Sequence, residues 1–306
     1  MSDYQSDYHT PVLLEESVAM MDIASAPDGI YCDLTFGGGG HTRHIISQLG
    51  EQGALYSFDQ DRDTQLNRIA DERFHYVESN FRFMRGALRL RGVEAVDAIL
   101  GDLGVSSHHF DTVDRGFSFR GSAPLDMRMN QRGGATAADI VNRYSVEELT
   151  RVFGDWGEVA TPWKVANCIV RARDTREIAT TEELIEVIAP CTPRGGESKF
   201  LTKVFQALRI EVNGEMEALK MALEQSLRML RSGGRMVVIS YHSLEDRLVK
   251  NFFKSGNFEG RVERDFYGNQ LTPWEVVTRK AVAPSAEEVA RNPRSRSAKM
   301  RVAIKK

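Results

Sequence analysis

Gly29-Ile30-Tyr31-Cys32, followed by Asp33-Leu34-Thr35-Phe36-Gly37-Gly38-Gly39-Gly40-His41-Thr42, decides how this chain is read. The first four residues form a short apolar run with strand character, and after the glycines Ile45, Ile46 and Leu49 fall on one helical face. Strand, glycine loop and helix follow in that order. Four consecutive glycines permit positive φ and close approach of a ligand to the backbone, and the unpaired N–H groups opening the next helix point at the same place. The stretch predicts a seat for a carboxylate or a phosphate.

A dinucleotide fingerprint needs a third glycine at the position that Thr42 occupies, which weakens that reading. The carboxylate of Asp33, just ahead of the loop, suits a ligand carrying an ammonium group better than a pyrophosphate. S-adenosylmethionine has an ammonium, a carboxylate and a ribose. Asp59 closes the next apolar run, Ala54-Leu55-Tyr56-Ser57-Phe58, and stands 22 residues after Gly37, the separation at which such folds place an acid on ribose hydroxyls.

With 306 residues, 42% hydrophobic and 27% charged, the chain has enough apolar material for one large or two smaller domains. It has no run of eighteen apolar residues, and its polar, acidic start is unlike a secretory signal, so a cytoplasmic protein that does not touch the membrane is expected. Cys32, Cys168 and Cys191 are far apart in sequence and form no C-x-x-C pair, so they are read as reduced, mostly buried thiols, without a disulfide framework or a metal site. The net charge of −3 argues against general nucleic-acid affinity, but seven basic residues and no acid lie between Arg291 and Lys306. A solvated tail is the plain explanation of that run.

Val12 to Met21 has helical spacing and is expected over the mouth of the sheet. Strands are predicted up to Cys32, Asp59, Val77 and Leu100, with helices between them, including one over Asp63–Ala70. This alternation calls for an α/β, Rossmann-like, doubly wound parallel sheet. Ligands in such sheets gather at the carboxyl ends of the strands, where Asp33, Asp59, Phe81 and Asp102 fall. The alternation stops at about 111. A glycine- and arginine-rich loop follows, then helices, with Ser145-x-x-Glu148 and Thr180-x-x-Glu183 as capping boxes and Pro162–Arg173 as an amphipathic helix. Residues 112–210 are therefore read as an all-α insertion, and 1–111 with 211–306 as the discontinuous sheet domain. Phe200–Leu230 is expected to be one long helix, bent near Asn213-Gly214. A fifth strand over Arg235–Ser240 and an antiparallel edge pair, Trp274–Lys280 with Ala298–Ile304, complete the sheet.

These residues carry a resemblance. His9-x-Pro11-Val12-Leu13-Leu14, the glycine loop, Asp102-Leu103-Gly104-Val105-Ser106-Ser107, Arg115-Gly116-Phe117-Ser118-Phe119, Pro124-Leu125-Asp126-Met127-Arg128-Met129, Phe205-Gln206-Ala207-Leu208-Arg209-Ile210 and His242-Ser243-Leu244-Glu245-Asp246-Arg247 resemble the RsmH, or MraW, family over nearly the whole chain. The resemblance implies N4 methylation of a specific cytosine in the decoding region of 16S rRNA of the small ribosomal subunit, with S-adenosylmethionine as cofactor and the helical insertion recognising substrate. By position it implies Gly39, Gly40 and His41 at the methionine end, Asp59 at the ribose, Phe81 at the adenine and Asp102 at the amino or sulfonium side. His109 stands where the family has a glutamine. Lys203-Val204 replaces the family's Arg-Thr.

Methyl transfer to an exocyclic amine is an in-line displacement whose rate comes largely from positioning. The amine also needs a proton acceptor, for which Asp102, Ser106, Asp126 and His242 are the candidates; the bland alternatives are a helix cap for Ser106 and a structural role for His242. The base must be unstacked and its backbone held. Phe117, Phe119, Trp156 and Trp163 are candidates for stacking, although core packing explains them equally. Arg115, Arg120, Arg128, Arg171, Arg173, Arg294 and Arg296 are candidates for phosphate contacts, and a second copy of the chain is a further candidate partner. Two rivals stay open: a methyltransferase of this fold acting on DNA or another substrate, and a non-catalytic nucleotide-binding assembly protein.

Overall fold

The computed structural model describes residues 11–104 and 115–306. Helix α1 (Leu14–Met20) precedes β1 (Ile30–Asp33), α2 (Gly40–Ile46), β2 (Ala54–Asp59), β3 (Phe74–Glu78), α3 (Met84–Arg89) and β4 (Val96–Asp102). Then come α4 (Ala137–Arg143), α5 (Val146–Arg151), α6 (Pro162–Arg173), α7 (Thr181–Ile188), α8 (Glu197–Asn213) and α9 (Glu215–Met229). The chain closes with β5 (Leu230–Ser240), α10 (Ser243–Ser255), β6 (Trp274–Val276), α11 (Ala286–Arg291) and β7 (Lys299–Lys305). It divides into two compact units, Met1–Gly104 with Met216–Lys306, and Val105–Glu215.

The first unit is built on one seven-stranded sheet in the order β3-β2-β1-β4-β5-β7-β6. Strands β1 to β5 are parallel, and β7 runs antiparallel between β5 and β6. Alternate side chains leave opposite faces of each strand. Tyr31, Leu55, Ala98, Leu100, Val237 and Ile239 pack with α1 and α2. Cys32, Phe58, Ile99, Met236 and Val238 pack against residues of α3, α9 and α10. Both faces are thus covered, as a parallel sheet requires. Chain order reverses between β1 and β4, and the crevice at such a point, beyond the carboxyl ends of the strands, is where ligands of this fold class bind. Among the described residues no helix is long and apolar enough to cross a membrane.

The second unit has its own core, in which Ile140, Leu149, Phe153, Ile169, Leu184 and Leu208 are buried. Capping boxes open α5 at Ser145 and α7 at Thr180, as their sequences predict, and α6 spans the expected residues. Lys203 donates from Nζ to the carbonyl of Glu158 at 2.6 Å, so it holds backbone here.

Three expectations change. Asp63–Ala70 forms a 3₁₀ turn over Arg62–Asn67 in place of a helix, and Thr64 is its one buried residue, which leaves no apolar stripe to anchor an α-helix. Phe200–Leu230 is two helices: Gly214 has φ 58°, a left-handed cap that ends α8. Strand β5 begins at Leu230, with an irregularity in its pairing between Val96 and Ala98 of β4. The cysteines are free thiols, Cys32 and Cys191 buried and Cys168 partly so, and Cys168 and Cys191 bring their Sγ atoms to 3.1 Å.

Candidate active site

The site is assembled at the carboxyl ends of β1, β2, β3 and β4. Asp33, at the end of β1, is completely buried. Its Oδ2 accepts from the Thr42 hydroxyl at 2.6 Å and its Oδ1 from the Thr35 N–H at 3.0 Å. The Thr42 hydroxyl also lies 3.0 Å from Ser57 Oγ. Asp33 therefore fastens the glycine loop from below and offers no surface to a ligand's ammonium, which corrects the expectation from its place in the sequence.

The loop above it needs its glycines for two separate reasons. Gly39 caps α2 at φ 75°, a conformation costly for any residue with a side chain. At Gly40 an added Cβ would run into Pro11 Cγ. The Gly37 N–H donates to Asp59 Oδ2 at 2.9 Å, and the Asp61 N–H donates to Asp59 Oδ1 at 2.9 Å. A carboxylate offers about four acceptor positions, so each oxygen keeps one for a further donor. Burial pushes the Asp59 carboxyl up to about 6; the two N–H bonds pull against that rise, and the neighbouring Asp61 and Asp33 add to it.

At the end of β3, Asn80 donates to Gln60 Oε1 at 2.8 Å and accepts from the Arg82 N–H at 2.9 Å. These bonds set the turn Phe81–Phe83 and leave Phe81 partly buried against the core. At the end of β4 the Asp102 N–H donates to Thr35 Oγ1 at 2.9 Å. The Asp102 carboxylate lies 3.9 Å from His41 Nδ1, accepts from the Gly104 N–H at 3.3 Å and is hydrogen-bonded by the Tyr241 hydroxyl. Burial raises its proton affinity, and the His41 ring, Tyr241 and Gly104 offset only part of that rise. His41 Nε2 lies 3.2 Å from the Val12 carbonyl, which orients the ring if that nitrogen carries the proton.

Other sequence candidates are differently employed. His242 caps α10, where Nδ1 accepts from the Glu245 N–H at 3.4 Å, and its Nε2 lies 3.2 Å from Glu245 Oε1. That work explains the side chain without catalysis. In the second unit Asp126 is held by the Arg128 guanidinium at 2.8 Å through both oxygens; burial would raise its carboxyl, but those bonds prevail and lower it. A carboxylate so stabilised is a poor proton acceptor. Arg115 is buried and donates to the carbonyls of Arg128 and Met129, and Arg173 donates to those of Val141 and Tyr144. Phe117 lies in the core, and Trp156 donates to Glu211 at 2.6 Å. Arg115 and Arg128, expected at phosphates, are instead occupied by the loop's own carbonyls and by Asp126. Arg120, Arg171, Arg294 and Arg296 are exposed. Ser106 and His109 lie outside the described residues. Thr35, Thr42, Gln60, Asn80 and Tyr241 were not singled out as site residues; the only signal for them is adjacency to the motifs.

The sheet order, the glycine loop tied to Asp59 and the carboxylate at the end of β4 define an S-adenosylmethionine-dependent methylase. Residues 6–306 match the MraW methylase family, and the chain belongs to it. It is 57% identical over 306 residues to the Ribosomal RNA small subunit methyltransferase H of Parabacteroides distasonis, covering 100% of both chains. It is 56% identical over 306 residues to the protein of the same name from Phocaeicola vulgatus, again covering 100% of both. A solved rRNA methylase from Streptococcus thermophilus is 11% identical, with TM-score 0.43 over 97% of this chain and 98% of that one.

Proposed function

We propose that this chain transfers a methyl group from S-adenosylmethionine to the N4 amine of a cytosine in 16S rRNA of the small ribosomal subunit, acting in the cytoplasm where ribosomes are assembled. The observation that carries the reading is Asp59: two backbone N–H groups fix both of its oxygens at the fold's ligand-binding crevice, and each keeps one acceptor position. Two adjacent ribose hydroxyls match that pair. Phe81 would lie along the adenine, and Gly39, Gly40 and His41 would hold the methionine end. When bound, the cofactor supplies an electrophilic methyl on a sulfonium. The names of the relatives support the substrate class, and the exposed Arg120, Arg294 and Arg296 would meet its phosphates.

Among the four candidate proton acceptors, Asp102 is the one the chemistry favours. Its carboxylate is short of solvent, its proton affinity is raised, and it stands beside the glycine loop. The cytosine amine is conjugated and weakly nucleophilic, so Asp102 would orient it and take its proton once the N–C bond forms. Carbon methylation at C5 would instead need a cysteine nucleophile. Cys32 is completely buried in the sheet, and burial holds Cys191 as a thiol, its value pushed up to about 12.

The test uses small subunits from cells lacking this protein, incubated with isotopically labelled S-adenosylmethionine. Nuclease digestion and mass spectrometry should place the label on N4 of one cytidine. Label on C5, on a ribose or on a ribosomal protein would refute the assignment. Asp102→Asn should lower turnover at least a hundredfold, the usual scale for a lost proton acceptor.

A further inference from the structure

The first unit carries one surface feature that its core does not explain. Phe266 and Tyr267 are 98% and 87% exposed. Rings this large gain by leaving water, and here they do not. They stand at the tip of a hairpin closed by backbone and side-chain hydrogen bonds. Leu271 N–H donates to the Glu263 carbonyl at 2.9 Å, and the Asp265 N–H to that of Asn269 at 3.0 Å. The Asp265 carboxylate accepts from the N–H groups of Tyr267 and Asn269 and from the Asn269 amide, at 2.8–2.9 Å. The base of the hairpin is tied to the end of α10, where Asn251 donates to the Phe258 carbonyl, Asn257 to that of Arg261, and Phe258 stacks on Phe252 at 5.0 Å.

The route from the site to this tip is basic. Helix α10 starts directly after β5, and its thirteen residues span about 20 Å at 1.5 Å each. Arg247, Lys250 and Lys254, spaced three and four apart, lie along one side of it and are exposed. Arg261 and Arg264 continue the series at the hairpin, where Arg264 also donates to the Gly268 carbonyl. Against these five exposed cations the same stretch exposes only Glu259 and Glu263; Glu245 is buried, Asp265 is consumed in its turn, and Asp246 is paired with Arg301 at 2.6 Å.

We propose that the basic side of α10 and the Phe266–Tyr267 tip form a track for single-stranded RNA, in which the cations follow the phosphates and the rings stack on unpaired bases. The rings meet edge-on, at 87° and 5.7 Å, so each keeps a face open to a base. A positively charged path with exposed aromatics is how proteins hold single strands without reading their sequence. A protein partner would call for a continuous apolar patch of several hundred Å², whereas in this hairpin the two rings and the exposed Leu271 are interspersed in sequence with Arg264, Asp265, Asn269 and Gln270. The inference rests on the rRNA methylase reading and names where RNA flanking the target base would lie.

The experiment measures binding of the full-length protein to a fluorescent single-stranded RNA of about 16 nucleotides, a length within the range such surfaces cover. Phe266→Ala with Tyr267→Ala should weaken binding about 10- to 100-fold. Lys250→Gln with Lys254→Gln should lower the slope of log affinity against log salt by about 1.4, at about 0.7 per phosphate contact on a single strand. Both variants change exposed residues only, and S-adenosylmethionine binding by calorimetry should match the parent. RNA affinity within twofold of the parent for the ring variant would overturn the proposal. So would a ring variant that loses self-association in sedimentation while keeping RNA affinity, which would make the tip a contact between copies. Loss of the track with methyl transfer by the parent intact refutes this inference alone; absence of methyl transfer by the parent refutes the reading beneath it.

Discussion

Asp59 sets the sharpest constraint at the level of single residues. Its carboxyl is raised from an ordinary 3.8 to about 6, chiefly by burial. Because the folded value lies above the unfolded one, its contribution to stability is full below about 3.8 and is lost as pH rises through about 6. Ribose hydroxyls, which donate hydrogen bonds, favour the ionised form and pull the other way. Cofactor affinity should therefore fall below pH 6, by as much as tenfold per unit, and level off above pH 7. Calorimetric titration of S-adenosylmethionine between pH 5 and 8 checks this, and a flat profile would remove Asp59 from the ribose. The place of Asp59 beside the glycine loop could be read in the sequence, because its strand, its loop and its spacing from Gly37 all agree. Arg115 and Arg128 could not: a guanidinium drawn inward by carbonyls and one drawn outward by phosphate have the same local sequence, and only the folded loop separates them.

At the level of elements, what could be read was whatever short-range chemistry decides. Thr180 Oγ1 accepts from the Glu183 N–H at 3.2 Å, and Glu183 Oε2 accepts in return from the N–H groups of Thr180 and Ala179 at 3.1 and 2.8 Å. Four neighbouring residues supply that whole arrangement, so four letters predict it. Thr180→Ala should cost about 1 kcal/mol of unfolding free energy, seen as a lower urea midpoint at unchanged slope; an unchanged midpoint would mean the box adds nothing in place. For Phe200–Leu230 the sequence predicts only a bend at Asn213-Gly214, because apolar spacing continues across Gly214, while the left-handed backbone that ends the helix is a property of one residue. The turn at Arg62–Asn67 was misread for the opposite reason, since helix-forming residues there have no apolar face to bury.

At the level of the whole molecule, a helical segment interrupts the sequence of a sheet domain. The chain leaves the sheet unit after Gly104 and rejoins it at Met216. The inserted unit has a buried core of its own. Its buried residues form one cluster, Glu211 collects Trp156 and Arg151, and Asn213 bonds the Met129 N–H and the Met127 carbonyl to close α8 onto the loop. Arg209 grips Glu215 at 2.8 and 2.9 Å at the very end of the segment. A unit of ~100 residues with a continuous core is large enough to fold alone. A fragment covering 115–215 should therefore show helical circular dichroism and one cooperative urea transition, with matching midpoints by fluorescence of its tryptophans and by dichroism. Non-coincident transitions, or helical content that binds a hydrophobic dye and lacks near-ultraviolet dichroism, would mean the core is completed by the sheet unit. The insertion would then be a dependent part of the methylase, its core completed only in the full chain.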